Sequence, residues 1–378
     1  MAVAVISEFN PFHNGHKYLI QTVKELTKEP IVAIMSGSFT QRGEVALTDK
    51  FSRTKTALEN GVDLVLEMPT VYAVASAQRF GFCGVQIAKS FDCVNYLAFG
   101  SESGNVEKLK SALNAIKNSS VNEIVSEKMS GGDYYPRALQ SAVSEVFGEE
   151  TAEVLSSPNN ILAIEYMKNL ANTEITPLAV KRVGTAHDSK EVCGEYASAS
   201  LVRSILRKGE SAEKYIPSVS QEITFPENLE RIMLYKLRTM NAKDFSLLPD
   251  VSEGLENRII DAVKKYNSLK EILSSVKTKR YTYARLRRIM TCALLDITED
   301  LQHTPISYVR ALGFTKEGAA LLKSCNLEVV TSVAKALKAD SDTARLLEKD
   351  VLANDIAALA YNNVGKCGND YIQQIVKI

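Results

Sequence analysis

Phe9-Asn10-Pro11-Phe12-His13-Asn14-Gly15-His16 is the stretch whose reading decides the fold. The apolar run Ala2-Val3-Ala4-Val5-Ile6 precedes it, and a helical pattern begins near Tyr18. A buried strand that breaks at an Asn-Pro pair and re-enters as a helix leaves backbone N–H groups free at the helix start, where phosphates bind well. His13 and His16 would sit side by side over that start, and the missing side chain at Gly15 lets a ligand approach the backbone. The chain has four histidines, so this octet holds half of its imidazoles.

A bare His-x-Gly-His serves equally well as a tight turn with locally bonded histidines. Its position gives it more weight, because it ends the first strand and opens the first helix, as a nucleotide site at the carboxyl edge of a doubly wound sheet requires. Asn10-Pro11-x-His13-x-Gly15-His16 resembles the signature of the nucleotidylyltransferase superfamily, which shares its fold with class I aminoacyl-tRNA synthetases. That resemblance implies that the two histidines stabilise charge on ATP phosphates while the α-phosphate is attacked.

Outward from the motif, strands and helices alternate. Apolar periodicity predicts a helix over 17–28, a strand over 31–35 and a polar loop over 36–43 in which Arg42 contacts either a phosphate or water. Thr48 is expected to cap a helix over 49–60, whose Lys50, Arg53 and Lys55 read as a solvated basic face. A strand over 62–68, a helix over 75–89 rich in Ala and Gly, and a strand over 94–99 ending at Gly100 follow. Four strand–helix alternations argue for a parallel sheet with right-handed crossovers.

Helices are expected over 106–117, 121–129 and 133–147, and another over 161–171 after Ser157-Pro158-Asn159-Asn160. Paired Asn side chains can cap that helix or contact a purine or ribose. A fifth strand over 176–183 carries Arg182 and leads to His187-Asp188. Ser198 then opens a helix over 199–207 with Ser200 at its start and Arg203 one turn along it, a plausible clamp for the outer phosphates of ATP. Ser198, Ser200 and Arg203 match the superfamily's Ser-rich, Arg-bearing segment after its fifth strand, and a five-stranded sheet brings both segments to one edge.

Beyond residue 208 the pattern is helical: 227–240, 253–265, 268–275 and 282–296, with 305–378 read as helix rich in Ala and Leu. Within this region Lys277-Thr278-Lys279-Arg280-Tyr281-Thr282-Tyr283-Ala284-Arg285-Leu286-Arg287-Arg288 holds six cations, two tyrosines and no acid. It reads as either a solvated helix face or an RNA-binding footprint with stacking groups built in. The fold expected is α/β, a doubly wound parallel sheet of the nucleotidylyltransferase, Rossmann-like type followed by an α-helical carboxyl region. The division expected is 1–210 for the ATP-binding sheet and 211–378 for a helical, RNA-facing region.

The chain has 378 residues, 45% of them hydrophobic, which suits two or three globular domains. Lys plus Arg and Asp plus Glu each number 45, so only local clusters can argue for a polyanionic partner. The six cysteines show no Cys-x-x-Cys pair and read as reduced core thiols. No signal-peptide layout and no run near the ~18 apolar residues of a membrane span is present, so a cytoplasmic protein is expected.

Two classes of function remain open on these residues: an ATP-dependent adenylating enzyme with an RNA-facing half, or a nucleotide- or RNA-binding module that does no chemistry. The retained histidines and Ser/Arg partner favour the enzyme. Glu8-Phe9-Asn10-Pro11-Phe12-His13-Asn14-Gly15-His16, Ser157-Pro158-Asn159-Asn160-Ile161-Leu162, Lys181-Arg182 with His187-Asp188, and Lys277-Thr278-Lys279-Arg280-Tyr281 together resemble the bacterial tRNA(Met) cytidine acetate ligase family over most of the chain.

The resemblance implies that acetate attacks ATP to give acetyl-adenylate, and that N4 of the wobble cytidine of elongator tRNA(Met) then takes the acetyl group. It carries catalysis onto His13, His16 and Arg203, and ATP contacts onto the segment from Ile6 to Leu19: Ile6, Ser7, Glu8, Phe9, Asn10, Pro11, Phe12, His13, Asn14, Gly15, His16 and Leu19. Further ATP contacts fall on Gly100, Asn159 or Asn160, Arg182, Ser198, Ser200 and Arg203. Mg2+ is expected to ride on the phosphates, since the sequence offers no carboxylate cage. Lys277, Lys279, Arg280, Arg285, Arg287 and Arg288 are expected to meet the tRNA backbone. Glu8 and Asn10 depart from the commoner small lead-in and Asp, which disfavours the alternative of a pantetheine-phosphate or nicotinate-mononucleotide adenylyltransferase.

Overall fold

The computed structural model describes residues 1–183, 194–218, 222–252, 254–338 and 341–378. His187 and Asp188 lie outside the described residues. β1 (Ala2–Ser7), β2 (Ile31–Ser36), β3 (Leu64–Met68), β4 (Val94–Ser101) and β5 (Thr176–Lys181) form a parallel sheet in the order β5-β4-β1-β2-β3. Strands buried on both faces need apolar residues at every position. In β1, Ala2, Ala4 and Ile6 face one core while Val3 and Val5 face the other. The chain leaves β1 for β2 on one side and returns to β4 on the other, so a crevice opens where the two meet at their carboxyl ends.

The helix Ala77–Lys89 lies close on this sheet because Gly84 has no side chain; a Cβ there would stand 2.4 Å from Ile6 Cδ1. Helices over 106–154 build a satellite core of their own around Ala115, Val121, Leu139 and Val143. The expected helices over 106–117 and 199–207 match the observed Val106–Lys117 and Ala199–Arg207.

The carboxyl region is not all helix. It returns to the sheet through β6 (Tyr308–Phe314), antiparallel to β3, with β7 (Glu328–Val330) and β8 (Val376–Lys377) both parallel to β6. Arg310 interrupts the apolar run of β6 and hides it from a periodicity reading. It is 5% exposed because its guanidinium pairs with Glu67 at 2.9 Å and Asp370 at 2.8 Å.

The basic face expected on α2 (Lys50–Glu59) is also overturned. Lys50 is fully buried, 2.7 Å from Glu67 and 3.0 Å from Asp370, and belongs to the same ion network as Arg310. Arg53 is 2% exposed and donates to the carbonyls of Glu8, Ser36, Gly37 and Thr48, binding the loop after β1 to the loop after β2. Of the three cations only Lys55 faces water. Asp49, not Thr48, caps α2, its carboxylate accepting from the amides of Phe51 and Ser52 at 2.9 and 2.8 Å.

The described cysteines are free thiols; Cys83 and Cys292 are buried as expected, whereas Cys367 is exposed. No helix among the described residues is long and apolar enough to cross a membrane.

Candidate active site

α1 (Asn14–Thr27) begins three residues earlier than its apolar period suggests, because the two histidines cap it. His13 is the N-cap; its Nδ1 accepts the Gly15 amide at 3.0 Å, while His16 Nδ1 accepts the His13 amide at 3.2 Å. The pair forms a capping box in imidazoles, and the rings stack with centroids 3.8 Å apart. A nitrogen that accepts an amide hydrogen bond holds no proton. Each ring is therefore neutral and carries its hydrogen on Nε2, a tautomer assigned from this network. Burial, then His13 and Arg182, hold His16 well below the usual histidine range.

Gly15 is needed here for a reason that the sequence does not give: a Cβ would stand 2.8 Å from His13 Cε1 and push the capping ring away. The expected free amides at the start of α1 are not there. Asn14 N–H donates to Tyr215 O at 2.9 Å, Gly15 N–H to His13, and His16 N–H to His13 O at 2.8 Å. The donors that this end still offers an anion are the imidazole Nε2–H groups.

Phe9 and Phe12 are buried props, their ring centroids 5.1 and 5.6 Å from that of His16. Asn10 Oδ1 accepts the Leu47 amide at 2.7 Å, and its carbonyl accepts from Arg203 Nη1 at 2.7 Å. Arg203 thereby joins the helix Ala199–Arg207 to the histidine loop. Ser198 caps that helix, accepting from Leu201 N–H at 3.2 Å, with Ser200 Oγ 3.0 Å from Ser198 Oγ. Burial lowers both Arg182 and Arg203 from the usual arginine value, as desolvated cations behave.

These groups enclose a cleft of about 350 Å³ over the carboxyl ends of β1 and β4. Every residue expected to contact the nucleotide lines it except Pro11, Phe12, Asn14 and Asn160. Pro11 and Phe12 face a smaller hollow of about 200 Å³. Asn14 instead donates to the carbonyls of Glu195 and Lys214 at 2.9 and 3.0 Å, fastening distant loops to α1.

Asn160 is 3% exposed and fully engaged, with Ser101 Oγ at 2.8 Å and Val154 O at 3.1 Å. Its neighbour Asn159 lines the cleft and donates to Glu102 Oε1 at 2.6 Å. The carboxylate of Glu102 also stands 3.7 Å from Arg182 Nε. Gly100 makes room for that arginine, since a Cβ there would meet Arg182 Cγ at 3.4 Å.

Gln41, Glu44, Tyr166 and Tyr196 also line the cleft and escaped the sequence reading. The place of Gln41 in the polar loop over 36–43, with Glu44 directly after it, was the available signal; Tyr166 sits on the cleft side of the helix Pro158–Leu170 and gave none. Arg42 lines the cleft beside them.

The basic run is divided by the structure. Lys277, Lys279 and Arg280 are exposed. Arg285 donates to Asp250 O at 2.9 Å, Arg288 pairs with the Asp250 carboxylate at 2.9 Å, and Arg287 pairs with Glu44 at 2.8 Å. Of the two expected stacking groups, Tyr281 is buried under Arg285 and only Tyr283 is exposed.

A family model described as HIGH Nucleotidyl Transferase matches residues 1–370. The tRNA(Met) cytidine acetate ligase of Thermoanaerobacter sp. (strain X514) is 39% identical, the match covering 100% of this chain and 99% of that protein. The protein of the same name from Caldanaerobacter subterraneus subsp. tengcongensis is 35% identical over 100% of both. Among solved structures, apo Thermotoga maritima TmcAL superposes with a TM-score of 0.93 at 29% identity, covering 100% of this chain and 99% of that one. The form of TmcAL bound with alpha-thio ATP gives 0.89 at 28% identity and the same coverage. Matched from end to end by these relatives, and built around the histidine motif, the chain belongs to the tRNA(Met) cytidine acetate ligase family of HIGH nucleotidyl transferases.

Proposed function

We propose that this chain activates acetate with ATP as acetyl-adenylate and transfers the acetyl group to N4 of the wobble cytidine of elongator tRNA(Met), forming N4-acetylcytidine. One observation carries the reading: two imidazoles locked as Nε2–H donors share a cleft with Arg182 and Arg203, in a chain whose full-length relatives bear that activity as their name.

Attack of an acetate oxygen on the α-phosphorus builds negative charge on the phosphoryl oxygens as pyrophosphate leaves. His13 and His16 meet that charge as hydrogen-bond donors already in place, and Arg203 and Arg182 offset the charge of the triphosphate. Ser198 and Ser200, at a helix start on the cleft wall, suit the outer phosphates. We assign the nucleotide contact to Asn159, because Asn160 spends its polar atoms inside the fold.

Among the described residues no group of three or more His, Cys, Asp or Glu could hold a metal. A magnesium ion fits as the companion that ATP brings with it, carried by the phosphates. We assign ATP chemistry to residues 1–210 and tRNA contact to 211–378, with Lys277, Lys279 and Arg280 the exposed cations for the RNA backbone and Arg287 at their edge. Placement in the cytoplasm, with the tRNA pool, goes with this function.

The test is acetate-dependent exchange of labelled pyrophosphate into ATP, followed by nucleoside analysis after incubation with tRNA. Exchange together with new N4-acetylcytidine supports the proposal. Exchange without the modified nucleoside retains the adenylating site and rejects the acceptor, and no exchange with acetate rejects the reaction.

A further inference from the structure

The second half of the proposed reaction has a proton to place. The lone pair of an exocyclic cytidine amine is delocalised into the ring, so N4 forms a stable bond to an acyl carbon only as one of its hydrogens is removed. Neither histidine of the motif can take that hydrogen. The Nδ1 atoms of His13 and His16 are occupied by backbone amides, and their Nε2 atoms already carry protons. The arginines and the lysine of the cleft are cations. The Tyr166 phenol is pushed far above its usual value by burial and then by Glu8.

Among the described residues two carboxylates line the cleft, Glu8 and Glu44. Glu44 is paired with Arg287 at 2.8 Å and is held on the loop side. Glu8 directly follows the last residue of β1 and precedes the histidine motif. Its carbonyl is fixed by Arg53 Nη1 at 2.8 Å, and its Oε1 accepts the Gln41 amide at 2.6 Å. Its Oε2 accepts no hydrogen bond among the described residues.

We propose that Glu8 is the general base of acetyl transfer, taking a proton from cytidine N4 as the acyl-adenylate is cleaved. This rests on the reaction proposed above. N4 attacks the acetyl carbonyl carbon and the N–C bond forms. The bond from that carbon to the AMP phosphate oxygen breaks, and AMP leaves with the electron pair. One N4 proton passes to the Glu8 carboxylate and from there to water. AMP leaves as a stable phosphate anion and needs no proton of its own, so one base suffices.

The surroundings of Glu8 suit the role. Burial raises its carboxyl above the usual range, against the opposing pull of the Gln41 amide and of Arg203, Arg42 and Arg53 around it. A carboxylate so placed is a stronger proton acceptor than one in water.

Glu8→Gln tests the assignment, since a glutamine amide oxygen can still accept the Gln41 amide. Two rates are measured in wild type and variant: acetate-dependent pyrophosphate exchange, and single-turnover transfer from preformed acetyl-adenylate to tRNA. The expected loss in transfer is about 100-fold, the size typical of removing a general base, and exceeds any loss in exchange at least tenfold. A ratio below tenfold, whether both rates fall together or neither falls, overturns the proposal. Glu8→Ala also removes the carboxylate and supplies the same ratio if Glu8→Gln does not fold. Failure of the reaction itself shows separately, in the wild-type protein, as absent exchange or absent N4-acetylcytidine.

Discussion

Arg287 Nη1 lies 2.8 Å from Glu44 Oε1, so the basic helix Tyr283–Leu294 is held against a loop that lines the cleft. Two neighbouring contacts close the joint. Thr291 Oγ1 donates to Gly43 O at 2.9 Å, and Gly43 itself, with φ +72°, lies so near the helix that a Cβ would stand 2.6 Å from Arg288 N. The element proposed to feel tRNA and the loop that lines the cleft are thus parts of one packed unit.

Arg287→Ala is therefore expected to raise the KM for ATP several-fold in pyrophosphate exchange without any tRNA present. Its effect on stability is small, below about 1 kcal/mol, because the pair is partly exposed and screened by water. An unchanged KM for ATP, with weakened tRNA binding alone, would make Arg287 a simple phosphate contact.

His13 has two duties that substitutions can separate. As N-cap of α1 it stabilises the helix, and His13→Ala should cost about 1 kcal/mol in a denaturant titration. Asparagine is a strong N-cap, so His13→Asn should recover most of that loss. It cannot supply the Nε2–H donor, and exchange should stay down about 100-fold or more in both variants. Recovery of exchange along with stability would leave His13 as a cap and nothing else.

The depressed His16 imidazole makes stability depend on pH in a defined direction. Above pH 6.5 both folded and unfolded chains hold the ring neutral, and the folded state keeps its full stability. Below pH 6.5 the unfolded chain takes up a proton that the folded chain refuses, so stability falls as pH falls, by at most about 1.4 kcal/mol per unit from this one group. In His16→Gln the side chain can still reach the cap amide but does not titrate, and the slope between pH 6.5 and 5 should flatten by that amount. Urea titrations at three pH values measure it; parallel slopes would mean that His16 is not held neutral.

Strands β1 to β5, the two ends of the cleft and its Ser/Arg partner segment were legible because each follows a local pattern: apolar runs of strand length, breaks at Pro and Gly, and a hydroxyl before a helix. What stayed hidden depends on distant partners. Lys50, Glu67, Arg310 and Asp370 look like surface charges one at a time, yet they are buried because they neutralise one another across α2, β3, β6 and the chain's last helix, and Arg53 is buried because four backbone carbonyls take its donors. Helix start rules framed for Ser, Thr, Asp and Glu do not foresee a capping box made of imidazoles, so the start of α1 was placed too late. The same long-range logic divides Asn159 from Asn160, which are adjacent in sequence and face opposite surroundings.

The basic run gives the last test, and the structure changes which residues it should use. Substituting Arg285 or Arg288 strips Asp250 of its partners and confounds RNA binding with local folding. Lys277, Lys279 and Arg280 are exposed, and the triple change of these three to Ala should leave the melting temperature within about 1 °C, since exposed cations contribute little to stability whether or not they are paired. Each cation that meets a phosphate releases counterions, so removing three should lower the slope of log affinity against log salt by about 2 to 3. Pyrophosphate exchange without RNA should keep its wild-type rate, because none of the three lines the cleft. A salt slope equal to that of the wild type would take this surface out of the tRNA interface and leave the other faces of the helical region to be searched.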